Sequence, residues 1–83
     1  MKKVFIYALS TCPWCRKTKM FFQEHNIAFD FVDYDLAKGK DQERLIKEMK
    51  DLGGNNSFPL VKIDEDVVIG FNPEMYIKLL GIK

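Results

Sequence analysis

Cysteine is scarce in this sequence: its 83 residues hold two. That is too few for a small fold stapled by several disulfides. Histidine is scarcer still, with His25 alone, so the cysteines lack the four ligands of a structural zinc centre. No apolar run is long enough to span a bilayer. Charge of one sign is also missing: 13 Lys and Arg against 12 Asp and Glu leave a formal net charge of +1. A chain without a large single-sign field is poorly suited to nucleic acid or an anionic membrane as partner. Repeats, linkers and low-complexity stretches are absent, and the length fits one domain, 1–83, with no room for a second.

What is present is a globular composition, 47% hydrophobic and 30% charged. The start, from Met1 to Tyr7, has the outline of a signal peptide, but its apolar run is short and Cys12-Pro13 interrupts the cleavage region. The expected compartment is a reducing cytoplasm, where a cysteine pair reads as catalytic before it reads as structural. Asn55-Asn56-Ser57 matches a glycosylation pattern that means nothing without secretion.

The informative segment is Cys12-Pro13-Trp14-Cys15. A C-x-x-C after an apolar strand and at the start of a helix reads as a redox pair. If a helix opens at Pro13, Cys12 sits at its cap and Cys15 one turn further in, with both sulfurs on one side. The unsatisfied N–H groups and partial positive charge of a helix N-terminus favour a thiolate at Cys12. Arg16 and Lys17 add cationic charge nearby.

The remaining pattern is mixed. Lys3–Leu9 reads as a buried strand, Pro13 to about His25 as a helix stopped by Asn26, and Ile27–Tyr34 as a second strand. On that strand Phe29, Phe31 and Asp33 alternate with Asp30 and Val32. A second helix runs from about Asp41 to Leu52, with Leu45, Ile46, Met49 and Leu52 on one face and an i,i+4 pair, Glu43 and Lys47. Gly53-Gly54 ends it. Leu60–Ile63 and Val67–Ile69 form a hairpin around an acidic turn. Asn72 caps a last helix that begins at Pro73 and offers Met75, Tyr76, Leu79 and Leu80 to the core. The order is β-α-β-α-β-β-α, an α/β fold with a mixed four-stranded sheet covered by three helices.

Three features then coincide: C-x-x-C at a strand-to-helix junction, a lone Phe58-Pro59 before the hairpin, and Gly70 closing the last strand. Together they resemble the glutaredoxin branch of the thioredoxin fold, over essentially the whole chain. Cys-Pro-Trp-Cys is close to the Cys-Pro-Tyr-Cys of dithiol glutaredoxins and unlike the Trp-Cys-Gly-Pro-Cys of thioredoxins. The resemblance implies that Pro59 is cis and packs beside the cysteines. It also implies that the Phe58 backbone pairs with an extended substrate.

The sequence departs from that family in two places. Glutaredoxins that use glutathione commonly carry a lysine three residues before the first cysteine; here the residue is Leu9. They also carry Gly-Gly followed two residues later by Asp, a clamp for the γ-glutamyl end. This chain has Gly70-Phe71-Asn72-Pro73-Glu74, more like the redoxins that serve ribonucleotide reductase and are reduced by thioredoxin reductase.

The resulting expectation is a dithiol oxidoreductase, acting as a monomer, that reduces disulfides in proteins, in glutathione adducts, or in both. Cys12 attacks and Cys15 resolves. Thr11, Pro13, Trp14, Phe58, Pro59, Gly70, Phe71 and Asn72 are the expected substrate-binding residues. Trp14 reads either as helix-start packing or as substrate surface, and Phe71 as core or groove wall. Asp30, Asp33 and Asp35 read as strand-edge and turn residues before they read as a metal site. No cofactor is required. The donor is glutathione or a thioredoxin-reductase-like flavoprotein. A different class stays open, a carrier holding an iron–sulfur cluster or metal between two chains through Cys12.

Overall fold

The computed structural model describes residues 2–54 and 58–81, so the Asn55-Asn56-Ser57 pattern lies outside the described residues. Its order is β1 (Val4–Ala8), α1 (Pro13–Glu24), β2 (Asp30–Asp33), a 3-10 turn (Tyr34–Leu36), α2 (Lys40–Asp51), β3 (Leu60–Ile63), β4 (Asp66–Ile69) and α3 (Pro73–Leu80). The strands form one sheet in the order β2-β1-β3-β4. β1 and β2 are parallel, joined through α1, while β3 runs antiparallel to both β1 and β4. This is the thioredoxin-like architecture expected from the sequence.

β1 reads as an unbroken apolar run, and β3 as one interrupted only by Lys62, because both faces of these central strands are covered. Val4, Ile6 and Ala8 point to one face, where they meet Val61, Ile63, Phe22 and Tyr76. Tyr7 points to the other, against Leu45, Met49 and Leu60. One core therefore lies under α1 and α3 and the other under α2. Each large apolar side chain fully buried here, such as Phe22, contributes about 1.5–3 kcal/mol.

The ends of the elements follow local chemistry. Asn26 takes φ 57°, which stops α1. Asn72 caps α3 by accepting a hydrogen bond from the Met75 N–H at 3.3 Å. The second strand is shorter than its apolar pattern. Pairing with β1 begins at Asp30 opposite Phe5, so Ile27 and Phe29 pack on the core without joining the ladder. Two further differences are local. The ion pair on α2 is Arg44 with Glu48 at 3.9 Å, rather than Glu43 with Lys47. His25, the expected end of the helix, is instead the cap after Glu24: its ring stacks on Phe21 at 4.2 Å, and its Nδ1 lies 2.8 Å from the Phe21 carbonyl.

Candidate active site

Ala8, at the end of β1, is fully buried, and the chain turns sharply just beyond it. The Cys12 N–H donates to the Leu9 carbonyl at 3.2 Å, which folds Ser10 and Thr11 into a tight turn. Asp35, in the 3-10 turn after β2, holds that turn from outside. It accepts from the Ser10 N–H at 2.9 Å and from the Ser10 hydroxyl. These bonds, the hydroxyl's first, lower the Asp35 carboxyl below its ordinary range. Cys12 is thereby delivered to the N-cap of α1 with Pro13 as the first helical residue. A proline is well placed there, since that N–H has no intrahelical partner to lose.

Both cysteines are free thiols and they differ sharply in setting. Cys12 is partly exposed, whereas Cys15 is 1% exposed and belongs to the core under α1. The Cys15 N–H donates to Cys12 Sγ at 3.4 Å. Partial burial works against ionising Cys12. Hydrogen bonds to its sulfur, from the Cys15 thiol and then the Cys15 and Trp14 N–H groups, outweigh that effect and hold the thiol below its ordinary value. Cys15 moves the other way. Burial pushes its thiol up to about 12, against a relieving hydrogen bond from the Leu9 N–H, which lies 3.5 Å from Cys15 Sγ. One sulfur is disposed to attack and its neighbour to keep its proton.

The peptide bond between Phe58 and Pro59 is cis. Pro59 is buried, and its carbonyl accepts from the Gly70 N–H at 2.8 Å. Gly70 takes φ 86°, a left-handed conformation that suits glycine, and this turns the chain from β4 toward α3. The Tyr76 hydroxyl, buried in the core, donates to the Gly70 carbonyl at 2.6 Å.

Trp14, Phe58, Pro59, Gly70 and Phe71 line one open groove of about 250 Å³. Trp14 is 54% exposed and its ring stands 5.8 Å from that of Phe71. Lys17 lies over the outer side of the indole at 4.5 Å. Trp14 is thus a wall of the groove rather than helix-start packing. Phe71 belongs to both worlds, since it also packs against the core. Thr11 and Pro13 are exposed on the loop and first turn beside Cys12. Asn72 is placed differently from the other expected binding residues: its side chain is engaged in capping α3.

Four residues that bear on the site escape a reading of the sequence. Asp35, Tyr76, Lys19 and Thr18 act through contacts distant in sequence or through an atom that the apolar pattern ignores. Thr18 is fully buried yet satisfied, donating from Oγ1 to the Trp14 carbonyl at 2.8 Å. Among the described residues, no three His, Cys, Asp or Glu side chains gather as a metal-binding set, and no helix is long and apolar enough to cross a membrane.

The comparisons with known proteins agree with this architecture. The glutaredoxin family model matches residues 4–68. A glutaredoxin-like 8.6 kDa protein of the rubredoxin operon of Clostridium pasteurianum is 39% identical over 75 residues, 90% of this chain and 93% of the relative. The glutaredoxin-like protein NrdH of Lactococcus lactis is 28% identical over 76 residues, covering 92% of this chain and 97% of the relative. The crystal structure of methanoredoxin from Methanosarcina acetivorans superposes with a TM-score of 0.89 at 32% identity, covering 96% of this chain and 85% of that one. With its cysteine pair at the head of α1 and its groove walled by Trp14 and the cis Pro59, the chain belongs to the glutaredoxin family.

Proposed function

We propose that this protein is a dithiol–disulfide oxidoreductase that reduces disulfides presented by protein substrates. The observation that carries the reading is the split between the two sulfurs: Cys12 partly exposed and favoured as thiolate, Cys15 buried behind it and protonated.

Cys12 thiolate attacks one sulfur of the substrate disulfide. The Cys12–substrate bond forms, the substrate S–S bond breaks, and the first substrate thiolate leaves and takes a proton from water. Cys15 then loses its proton and attacks Cys12 Sγ. The Cys12–Cys15 bond forms and the second substrate thiol departs. Two electrons pass from the dithiol to the substrate, and the cycle uses no metal or prosthetic group. The groove supports an extended segment: Trp14 and Phe71 offer apolar walls, and the Phe58 backbone precedes the cis proline.

The donor is better read as a flavoprotein reductase than as glutathione. Asn72 already occupies the Met75 N–H, Pro73 has no N–H, and the Gly70 N–H is spent on Pro59. Each takes from this turn a backbone N–H that could otherwise meet a glutathione carboxylate. Leu9 supplies no cation on the other side.

Trapping tests the assignment. Cys12→Ser should abolish disulfide reduction, because a hydroxyl is a far weaker nucleophile than a thiolate. Cys15→Ser should accumulate a mixed disulfide with substrate through Cys12, visible as a mass adduct. Adducts on the Cys12→Ser protein and none on Cys15→Ser would reverse the roles.

A further inference from the structure

Lys19 is a cation held in place on the same helix face as the buried thiol. It follows Cys15 by four residues on α1, the spacing that places two side chains on one helix face. Its position is restrained from two directions. Nζ pairs with Asp33 Oδ1 at 3.3 Å, and the ammonium lies 3.8 Å from the centre of the Phe31 ring. The side chain is only 22% exposed. Asp33 is the register partner of Ala8, and the next residue, Leu9, donates its N–H toward Cys15 Sγ. Helix spacing, strand register and an aromatic face converge on the end of β1 where the Cys15 sulfur lies. The other basic residues of the first turns are both exposed, and Lys17 rests on the indole of Trp14.

We infer that Lys19, held by Phe31 and Asp33, is a positioning residue for the resolving step: its ammonium favours the Cys15 thiolate that attacks the Cys12 mixed disulfide. The inference rests on the dithiol reading above. In that step the Cys15 S–H proton passes to water, the Cys15–Cys12 bond forms, and the bond from Cys12 to substrate breaks. The substrate sulfur leaves with the bonding pair and is protonated. Burial opposes the first of these events, the Leu9 N–H bond to Cys15 Sγ relieves it most, and the Lys19 charge adds to that relief. Asp33 cancels part of that charge, and the site is close to solvent, so the expected effect is about three- to tenfold in rate.

The two halves of the cycle can be timed separately with reduced protein and one equivalent of dithiobis-nitrobenzoate in stopped flow. Capture by Cys12 releases the first coloured thiolate. Resolution by Cys15 releases the second in a concentration-independent phase. Lys19→Met should slow the second phase about three- to tenfold and leave the first unchanged, and Lys19→Arg should restore most of the loss. Lys19→Gln gives the same comparison should the Met variant fold poorly. A second phase at the original rate in the Met or Gln variant overturns the inference. So does equal slowing of both phases that Arg does not repair, since that marks a structural role. The dithiol reading fails separately, if Cys15→Ser still releases both equivalents.

Discussion

The Tyr76 hydroxyl reaches out of the core to hold the Gly70 carbonyl at 2.6 Å. Its ring is packed among Phe21, Phe22 and Phe71, and burial raises its phenol above the ordinary value. The bond therefore ties the strand-to-helix bend beside the groove to the interior under α1 and α3. Tyr76→Phe keeps the ring and deletes the donor. Losing the hydrogen bond and leaving a carbonyl short of a partner should cost about 1–2 kcal/mol, read from urea unfolding. Because Gly70 lines the groove, KM for a peptide disulfide should rise while alkylation of Cys12 proceeds at its former rate. Unchanged stability and KM would show that the bend is held by the Gly70–Pro59 bond alone.

Stability should fall on the alkaline side, and more steeply in the reduced protein. Burial first, then the charge and hydrogen bond of Glu48, push Tyr7 from its ordinary 10.0 up to about 12. Cys15 rises from 9.0 to about 12. Both groups keep their protons in the fold after the unfolded chain has begun to release its own. The unfolded state then binds fewer protons, so unfolding becomes easier as pH rises. Their contribution is complete below about pH 9 and is lost progressively toward pH 12. Oxidation removes the Cys15 proton from the balance. The stability gap between oxidised and reduced protein should widen as the pH is raised above 9.0, and Tyr7→Phe should flatten the decline in both forms. Parallel pH profiles of the two redox forms would contradict the raised Cys15 thiol.

Restoring two missing features should change donor preference. Leu9→Lys adds a cation without touching the backbone N–H that serves Cys15. Pro73→Asp supplies an N–H and a carboxylate at the start of α3. A charge-assisted hydrogen bond contributes about 1.5–3 kcal/mol, so the double variant should gain at least about tenfold in glutathione-dependent kcat/KM. Reduction by a flavoprotein reductase should gain much less. Tight, saturable glutathione use by the unmodified protein, unaltered by the double change, would refute this preference.

The parts of this fold legible in the sequence are those governed by neighbours. Pro13 and Pro73 mark helix starts, Asn26 a stop, and the acidic segment 64–66 a hairpin turn. Both helix faces around Phe22 and Met49 follow from spacing. The cysteine pair could be found because both members lie within one helical turn. The supports around it could not. Asp35 reaches Ser10, Lys19 reaches Asp33, and Tyr76 reaches the Gly70 carbonyl only once the sheet is assembled. Asp33 and Asp35 look alike as a short acidic run, yet one steadies a lysine and the other a turn. The edge strand is shorter than its apolar pattern because Ile27 and Phe29 are apolar for packing, with no partner strand to pair them.

The sheet order has a mechanical consequence. Cys12 hangs from β1 and Pro59 precedes β3, adjacent central strands with a neighbour on each side. Gly70 and Phe71 hang from β4, an edge strand paired on one side only. Local opening is easiest at such margins and hardest at the centre of a sheet. The sulfur and the proline thus sit on the fixed side of the groove, and Phe71 sits on its margin, where the Tyr76–Gly70 and Gly70–Pro59 bonds do the holding.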